Sequence, residues 1–147
     1  MNSRPAPTSL EELLVADEDE VLHAYTDTEG FLTLGVGRLI DVRRGGGITK
    51  AESRFLLAND VSKAEFECGD HFTSWYPALD DVRAGVVTAL CFQLGINGLL
   101  NFVHFLTAMR ARDWAEAGRQ LRNSKLAKQA PERIDRYCDM LLSGEWK

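Results

Sequence analysis

A chain of 147 residues, 45% of them hydrophobic, is enough for one domain with a buried core or for two lobes sharing one. Its net charge of −5, with no basic stripe interleaved with aromatics, argues against nucleic acid as a partner. Three cysteines, Cys68, Cys91 and Cys138, are odd in number and set among apolar or helical neighbours, which excludes a disulfide framework and reads as buried free thiols. His23, His71 and His104 lack ligand spacing, so no metal is expected.

The first eight residues carry prolines but no apolar run, so residues 1–8 read as a flexible N-terminus, not as a signal peptide or an anchor. Synthesis in the cytoplasm follows as the expectation. Ser9-Leu-Glu-Glu12 has capping-box spacing and opens a helix over 10–18 whose Leu10, Leu13 and Leu14 share one face. Asp17-Glu18-Asp19-Glu20 then crowds acids at the C-terminal end of that helix. Negative charge there opposes the helix dipole, so either the run is a solvated turn or one of its acids is kept for chemistry.

The next stretch, from Val21 to Arg38, reads as a hairpin that holds a carboxylate. Asp27 opens the turn, because its short side chain can accept backbone amides just beyond it, and Gly30 closes it. Phe31, Thr33 and Gly35 alternate with Leu32, Leu34 and Val36, which predicts a strand with the leucines and valine turned inward and Thr33 facing open space. An Arg- and Gly-rich connection over 41–47 follows. Thr49-Lys-Ala-Glu52 repeats the capping-box spacing and begins a long helix reaching about Cys68. Asp80 caps a largely apolar helix through Val82, Val86, Leu90 and Phe92 that Gly95 stops. Three short helices are expected at about 102–111, 113–122 and 131–142, with Asp113 and Ser124 as caps, Pro131 in a first turn and Gly144 at an end. No apolar segment reads as long enough to span a membrane.

The predicted class is α+β and mostly helical: a single domain over 1–147 with a small β-lobe at 19–48, a bridging helix at 49–70, and a helical lobe made of 9–18 and 71–147. Such a layout puts a cleft between hairpin and helical lobe, with carboxylates on its floor. Charge is uneven. Residues 1–30 hold one Arg against eight acids, whereas residues 102–147 hold nine basic side chains against six acids.

Several of these stretches together resemble the phage-type lysozymes. The strongest is Asp17-Glu18 followed by Tyr25-Thr-Asp-Thr-Glu-Gly-Phe-Leu-Thr-Leu-Gly-Val-Gly37, in which Glu18, Asp27 and Thr33 stand nine and six residues apart. Gly47-Ile-Thr-Lys, Asn59-Asp-Val, Phe92-Gln-Leu-Gly95, Asp113-Trp-Ala-Glu-Ala and Gln129-Ala-Pro-Glu-Arg133 continue it in order along nearly the whole chain. The resemblance implies a lysozyme-like two-lobe fold and an inverting muramidase acting on the β-1,4 bond between N-acetylmuramic acid and N-acetylglucosamine. By the same resemblance Glu18 is the general acid, Asp27 with Thr33 holds the attacking water, and Arg133 pairs with Glu18. Burial would raise the Glu18 pKa, and the guanidinium would lower it.

Gly37, Leu39, Phe92, Gln93 and Gln120 fall at or near cleft-lining positions of that family, with Gln93 the best substrate contact. Helical periodicity alone, however, sends Phe92 and Trp114 to the core. Arg38 stands where the best-known member has a His, and the resemblance implies an ion pair from Arg38 to Asp60. The connection after Arg38 is short, which predicts a reduced β-lobe, and Leu126 and Ala130 replace a Trp and a Thr beside the cleft. Taken singly, Glu18 reads as a surface acid, Asp27 as a turn former and Thr33 as a strand residue. Jointly, at this spacing, they read as catalytic. The implied partner is the peptidoglycan glycan strand, met by a monomer without membrane insertion. An endolysin made in the host cytoplasm would reach the periplasmic wall through a holin or other pore. A virion or wall-binding module that has lost turnover, and a cell-wall toxin, are the alternatives.

Overall fold

A computed structural model describes residues 9, 20–40 and 47–147. The expected first helix over 10–18 with its Glu18, the 1–8 segment and most of the Arg- and Gly-rich connection lie outside the described residues. The chain divides into two compact units, residues 1–55 and 56–147, and the boundary falls inside a long helix.

In the first unit β1 (Val21–Thr26), β2 (Leu32–Gly35) and β3 (Arg38–Leu39) form an antiparallel sheet in that order. The expected hairpin is present and gains a third strand. Gly35 and Gly37, with φ of 67° and 63°, reverse the chain between β2 and β3, a left-handed geometry that glycine adopts without steric cost.

Residues paired across a sheet share a face. Tyr25 and Leu39 are the partners of Thr33, whereas Leu32 and Leu34 pair with Thr26 and Arg38. This overturns the expected facing: Thr33 is 3% exposed, whereas Leu32 is 36% exposed. The alternation carried the period but not the side. On a sheet this small the period does not decide which face is covered: Thr33, between Tyr25 and Leu39, is buried, whereas Leu32 stands opposite the exposed Thr26.

Helix α1 (Lys50–His71) starts on the capping box its spacing predicts. The Glu52 amide donates to Thr49 Oγ1 at 3.3 Å, and the Thr49 amide and hydroxyl each donate to Glu52 Oε2 at 2.8 Å. Of its apolar residues only Ala64 and Cys68 are buried. A 3₁₀ turn at Tyr76–Ala78 leads to α2 (Asp81–Leu100), whose N-cap Asp80 accepts the Arg83 amide at 3.0 Å, as expected. Gly95, at φ 69° and ψ 162°, breaks α2 into two pieces where the sequence predicted a stop. Then come α3 (Val103–Ala111), α4 (Trp114–Arg122) with Asp113 as its cap, α5 (Lys125–Gln129) and α6 (Pro131–Ser143), which ends on a left-handed Gly144.

The five-residue α5 was not expected. Ser124 stands at its N-cap but does not cap it: the hydroxyl donates backwards to the Leu121 carbonyl at 2.6 Å. The second unit carries the core, in which Val86, Val87, Leu90, Leu99, Phe105, Met109, Leu121, Ile134 and Leu141 are buried. All three thiols are free and buried there, as predicted. Helices α4 and α6 approach closely at Gly118, where an added Cβ would lie 3.4 Å from Cys138 Sγ. That thiol donates to the Gly118 carbonyl at 3.3 Å.

The expectation that no segment is long and apolar enough to span a membrane does not hold. By length and composition α2 is apolar enough to cross a membrane. Val82, Val86, Val87, Leu90 and Cys91 bury its inner face in the protein core, and Gly95 interrupts its backbone, so core packing accounts for that apolarity.

Arg83 ties the two ends of this unit's sequence together. Its Nη1 donates to Asp80 at 2.8 Å and its Nε to the Leu141 carbonyl at 2.9 Å, and the guanidinium lies 4.6 Å from the centre of the Trp114 ring. Partial burial pushes the Asp80 carboxyl up, but the bonds and charge of Arg83 outweigh it and hold the group below its ordinary range. Arg83→Met keeps the aliphatic stem and removes the ion pair, the carbonyl bond and the cation–π contact. It is expected to cost about 2 kcal/mol in urea unfolding. A loss below the measurement error would show these contacts to be passive.

Candidate active site

The β1–β2 turn is built around the Asp27 side chain. Its Oδ1 accepts the amides of Glu29 at 3.0 Å and Phe31 at 2.8 Å, and the Gly30 amide donates to the Asp27 carbonyl at 3.1 Å. One carboxylate oxygen is thus fully used in fixing the turn. The other, Oδ2, faces the Thr33 hydroxyl at 3.5 Å, and that hydroxyl also reaches the Phe31 carbonyl at 3.3 Å. At 3.5 Å the pair is at the outer limit of a direct hydrogen bond, a separation that two groups sharing a third, such as a water, can keep. Asp27 is half-buried, so the carboxylate is held and still reachable. Asp27 and Thr33 thus lie side by side, with Thr33 covered and not open as its strand position suggested.

Arg38 departs from expectation. Its Nη2 donates to Glu52 Oε1 at 2.6 Å, so its partner is Glu52 and not Asp60. The reason is distance along α1: Glu52 is in the first turn, whereas Asp60 lies eight residues further, about 12 Å along the axis. The bonds from Thr49, strengthened by Arg38, hold the Glu52 carboxyl below its ordinary pKa. Of the proposed substrate contacts in this unit, Gly37 is exposed and Leu39 is 40% exposed.

In the second unit a groove of about 720 Å³ is walled by Val61, Phe92, Gln93, Arg133, Tyr137 and Trp146. Phe92 is 49% exposed there, contrary to the core position its helix suggested. Leu90 and Cys91 take the inner face, and the next residue, about 100° round the helix, turns outward. Gln93 is exposed in the same groove. Arg133 is exposed and makes no ion pair among the described residues, and its expected partner Glu18 lies outside them. Gln120 is elsewhere: its amide donates to Glu116 Oε1 at 2.6 Å, and it lines a second groove of about 480 Å³ with His104, Asn123 and Leu126. The structure therefore brings Asp27 to Thr33, and Phe92 and Gln93 to Arg133, but leaves Gln120 in a different groove from these last three.

The thiols take no part in this chemistry. Burial, reinforced by the neighbouring Cys91, pushes the Cys68 thiol far up, and burial likewise raises Cys91 and Cys138, so none is a thiolate nucleophile at neutral pH. Tyr137 and Trp146 were missed as groove residues, because each lies in a polar C-terminal stretch with no motif to single it out. The second bond of Glu52 was missed too, since the capping-box spacing explains only one of its oxygens.

A family model described as phage lysozyme matches residues 16–134, a span that takes in Glu18, Asp27, Thr33 and Arg133. The chain is 30% identical to a "Probable T4-type lysozyme 1" from Dictyostelium discoideum, over 93% of this chain and 95% of that protein. It is also 28% identical to "Probable T4-type lysozyme 2" of the same organism, over 95% and 97%. The "Pre-baseplate central spike protein Gp5" of Enterobacteria phage T4 is 29% identical over 92% of this chain, which spans 28% of that protein. A mostly helical chain with a small three-stranded antiparallel sheet has the lysozyme-like α+β fold. The chain belongs to the phage lysozyme family. Membership supports a muramidase-like glycoside hydrolase whose substrate is peptidoglycan.

Proposed function

We propose that this chain is an inverting muramidase that hydrolyses the β-1,4 bond between N-acetylmuramic acid and N-acetylglucosamine, with Glu18 as general acid and Asp27 and Thr33 holding the attacking water. The carrying observation is the division of labour at Asp27, one oxygen bound by two amides and the other turned to the Thr33 hydroxyl. A water bonded to both oxygens from the side would lose a proton to Oδ2 as its oxygen bonds to the anomeric carbon. The glycosidic bond breaks in the same step, and the leaving oxygen takes the Glu18 proton. Inverting enzymes keep their two carboxyl groups about 6.5–9.5 Å apart, which leaves space for that water. Arg133 would orient Glu18 without holding it strongly ionised, and Gly37, Leu39, Phe92 and Gln93 would contact the glycan, with Gln120 met only by a strand that extends into the second groove. No step needs a cofactor.

In this proposal the protein is an endolysin of a phage or prophage, a monomer synthesised in the host cytoplasm and released to the periplasmic wall by a holin or other pore. The match to a phage central spike protein favours a second setting, a lysozyme module carried on a virion. Both settings share one chemistry, and product analysis tests it. Digests of purified peptidoglycan are expected to contain new reducing ends with the anomer inverted at cleavage. Anhydro-muramic products would mean a transglycosylase, and no products at all would mean a wall-binding module.

A further inference from the structure

The Glu52 carboxylate does more than close a capping box. Oε2 takes the amide and the hydroxyl of Thr49, and Oε1 takes Nη2 of Arg38, so one side chain ties the first turn of α1 to β3. Strand β3 needs such a tie. Among the described residues it is two residues long and sits at the edge of the sheet, paired through Thr33↔Leu39 and Leu34↔Arg38. Beyond it, the Ile40 amide donates to the Leu32 carbonyl at 3.0 Å, and the Gly47 amide donates to the Ile40 carbonyl. Among the described residues, the β2–β3 turn is otherwise held by these backbone contacts.

We propose that the Arg38–Glu52 ion pair is a positioning clamp for substrate binding: it fixes β3 and the turn before it, so that Gly37 and Leu39 offer a glycan strand one backbone geometry. This rests on the muramidase reading for what the strand binds. Fold stability is not its main effect, because the pair is exposed, at 59% for Arg38 and 35% for Glu52, and exposed pairs contribute little. Nor does it govern the chemical step, since Asp27 is held by its own turn through Glu29 and Phe31. The clamp therefore acts on KM more than on kcat.

The test is a double-mutant cycle on soluble, uncross-linked glycan strands. Glu52→Gln keeps the capping box, which glutamine also serves, and loses the charge. Arg38→Met keeps the stem and loses the guanidinium. Each single variant is expected to raise KM about fivefold with kcat within about twofold of wild type, and the double variant is expected to be no worse than either. Arg38→Lys, which keeps the charge, should recover part of the loss. In parallel, the amide resonances of Gly37 and Leu39 should shift in both single variants while that of Phe31 stays. Additive KM effects, or unmoved Gly37 and Leu39 resonances, overturn the clamp. If wild type hydrolyses nothing, the muramidase proposal fails, and the resonances still decide whether the clamp exists.

Discussion

Glu18→Gln is expected to leave permeabilised Gram-negative cells uncleared, with release of reducing ends down on the order of 10²–10⁴-fold. The glutamine has the shape of the acid and can still donate a hydrogen bond, but it has no proton to give, and a sugar alkoxide is a poor leaving group without one. Asp27→Asn should fall by a similar factor for a different reason. The asparagine Oδ1 can still accept the Glu29 and Phe31 amides, so the turn survives. What disappears is the anionic oxygen facing Thr33, and with it the base. Far-UV circular dichroism of the Asp27 variant should therefore match wild type. Near-normal clearing by Glu18→Gln would remove the acid assignment. Near-normal clearing by Asp27→Asn would leave the turn as that residue's only role.

What the sequence made legible follows the range of the forces involved. Local chemistry was read correctly where donor and acceptor lie within a few residues: the Asp27 turn, the Thr49–Glu52 box, the Asp80 and Asp113 caps, the break at Gly95 and the Gly144 terminus. Errors came where a second element decides. The period of β2 was right, yet the covered face depended on which neighbours stand opposite, Tyr25 and Leu39 for Thr33. Phe92 fits an apolar helix, but α2 had already filled its inner face with Leu90 and Cys91. The Arg38 partner was named from a family position, whereas the short reach of a side chain from β3 selects the first turn of α1. Ser124 stands at a helix start and spends its hydroxyl on the helix before it. The family itself was legible because its motif is short and ordered along the chain, with spacings of nine and six residues.

Phe105→Ala should be the most destabilising single change in the helical unit. The ring is 1% exposed on α3, within a core that includes Leu90, Leu99, Met109 and Leu121. Truncation loses the transfer energy of the ring and leaves a cavity that these neighbours can only partly fill, a combined cost of about 3–5 kcal/mol. Domains have about 5–15 kcal/mol in all, so the variant should give up a large part of its stability. Its melting temperature should drop by about 10–15 °C. The control is the same deletion on a solvated surface. Phe66, on α1, is 74% exposed, and Phe66→Ala should change stability by less than about 0.5 kcal/mol. Because Asp27 is held by backbone amides in the other unit, wall hydrolysis by Phe105→Ala well below its transition should run at a rate close to wild type and then collapse as the helices melt. Equal, small shifts for Phe105 and Phe66 would mean that the packing around α3 is not what holds the helical unit together.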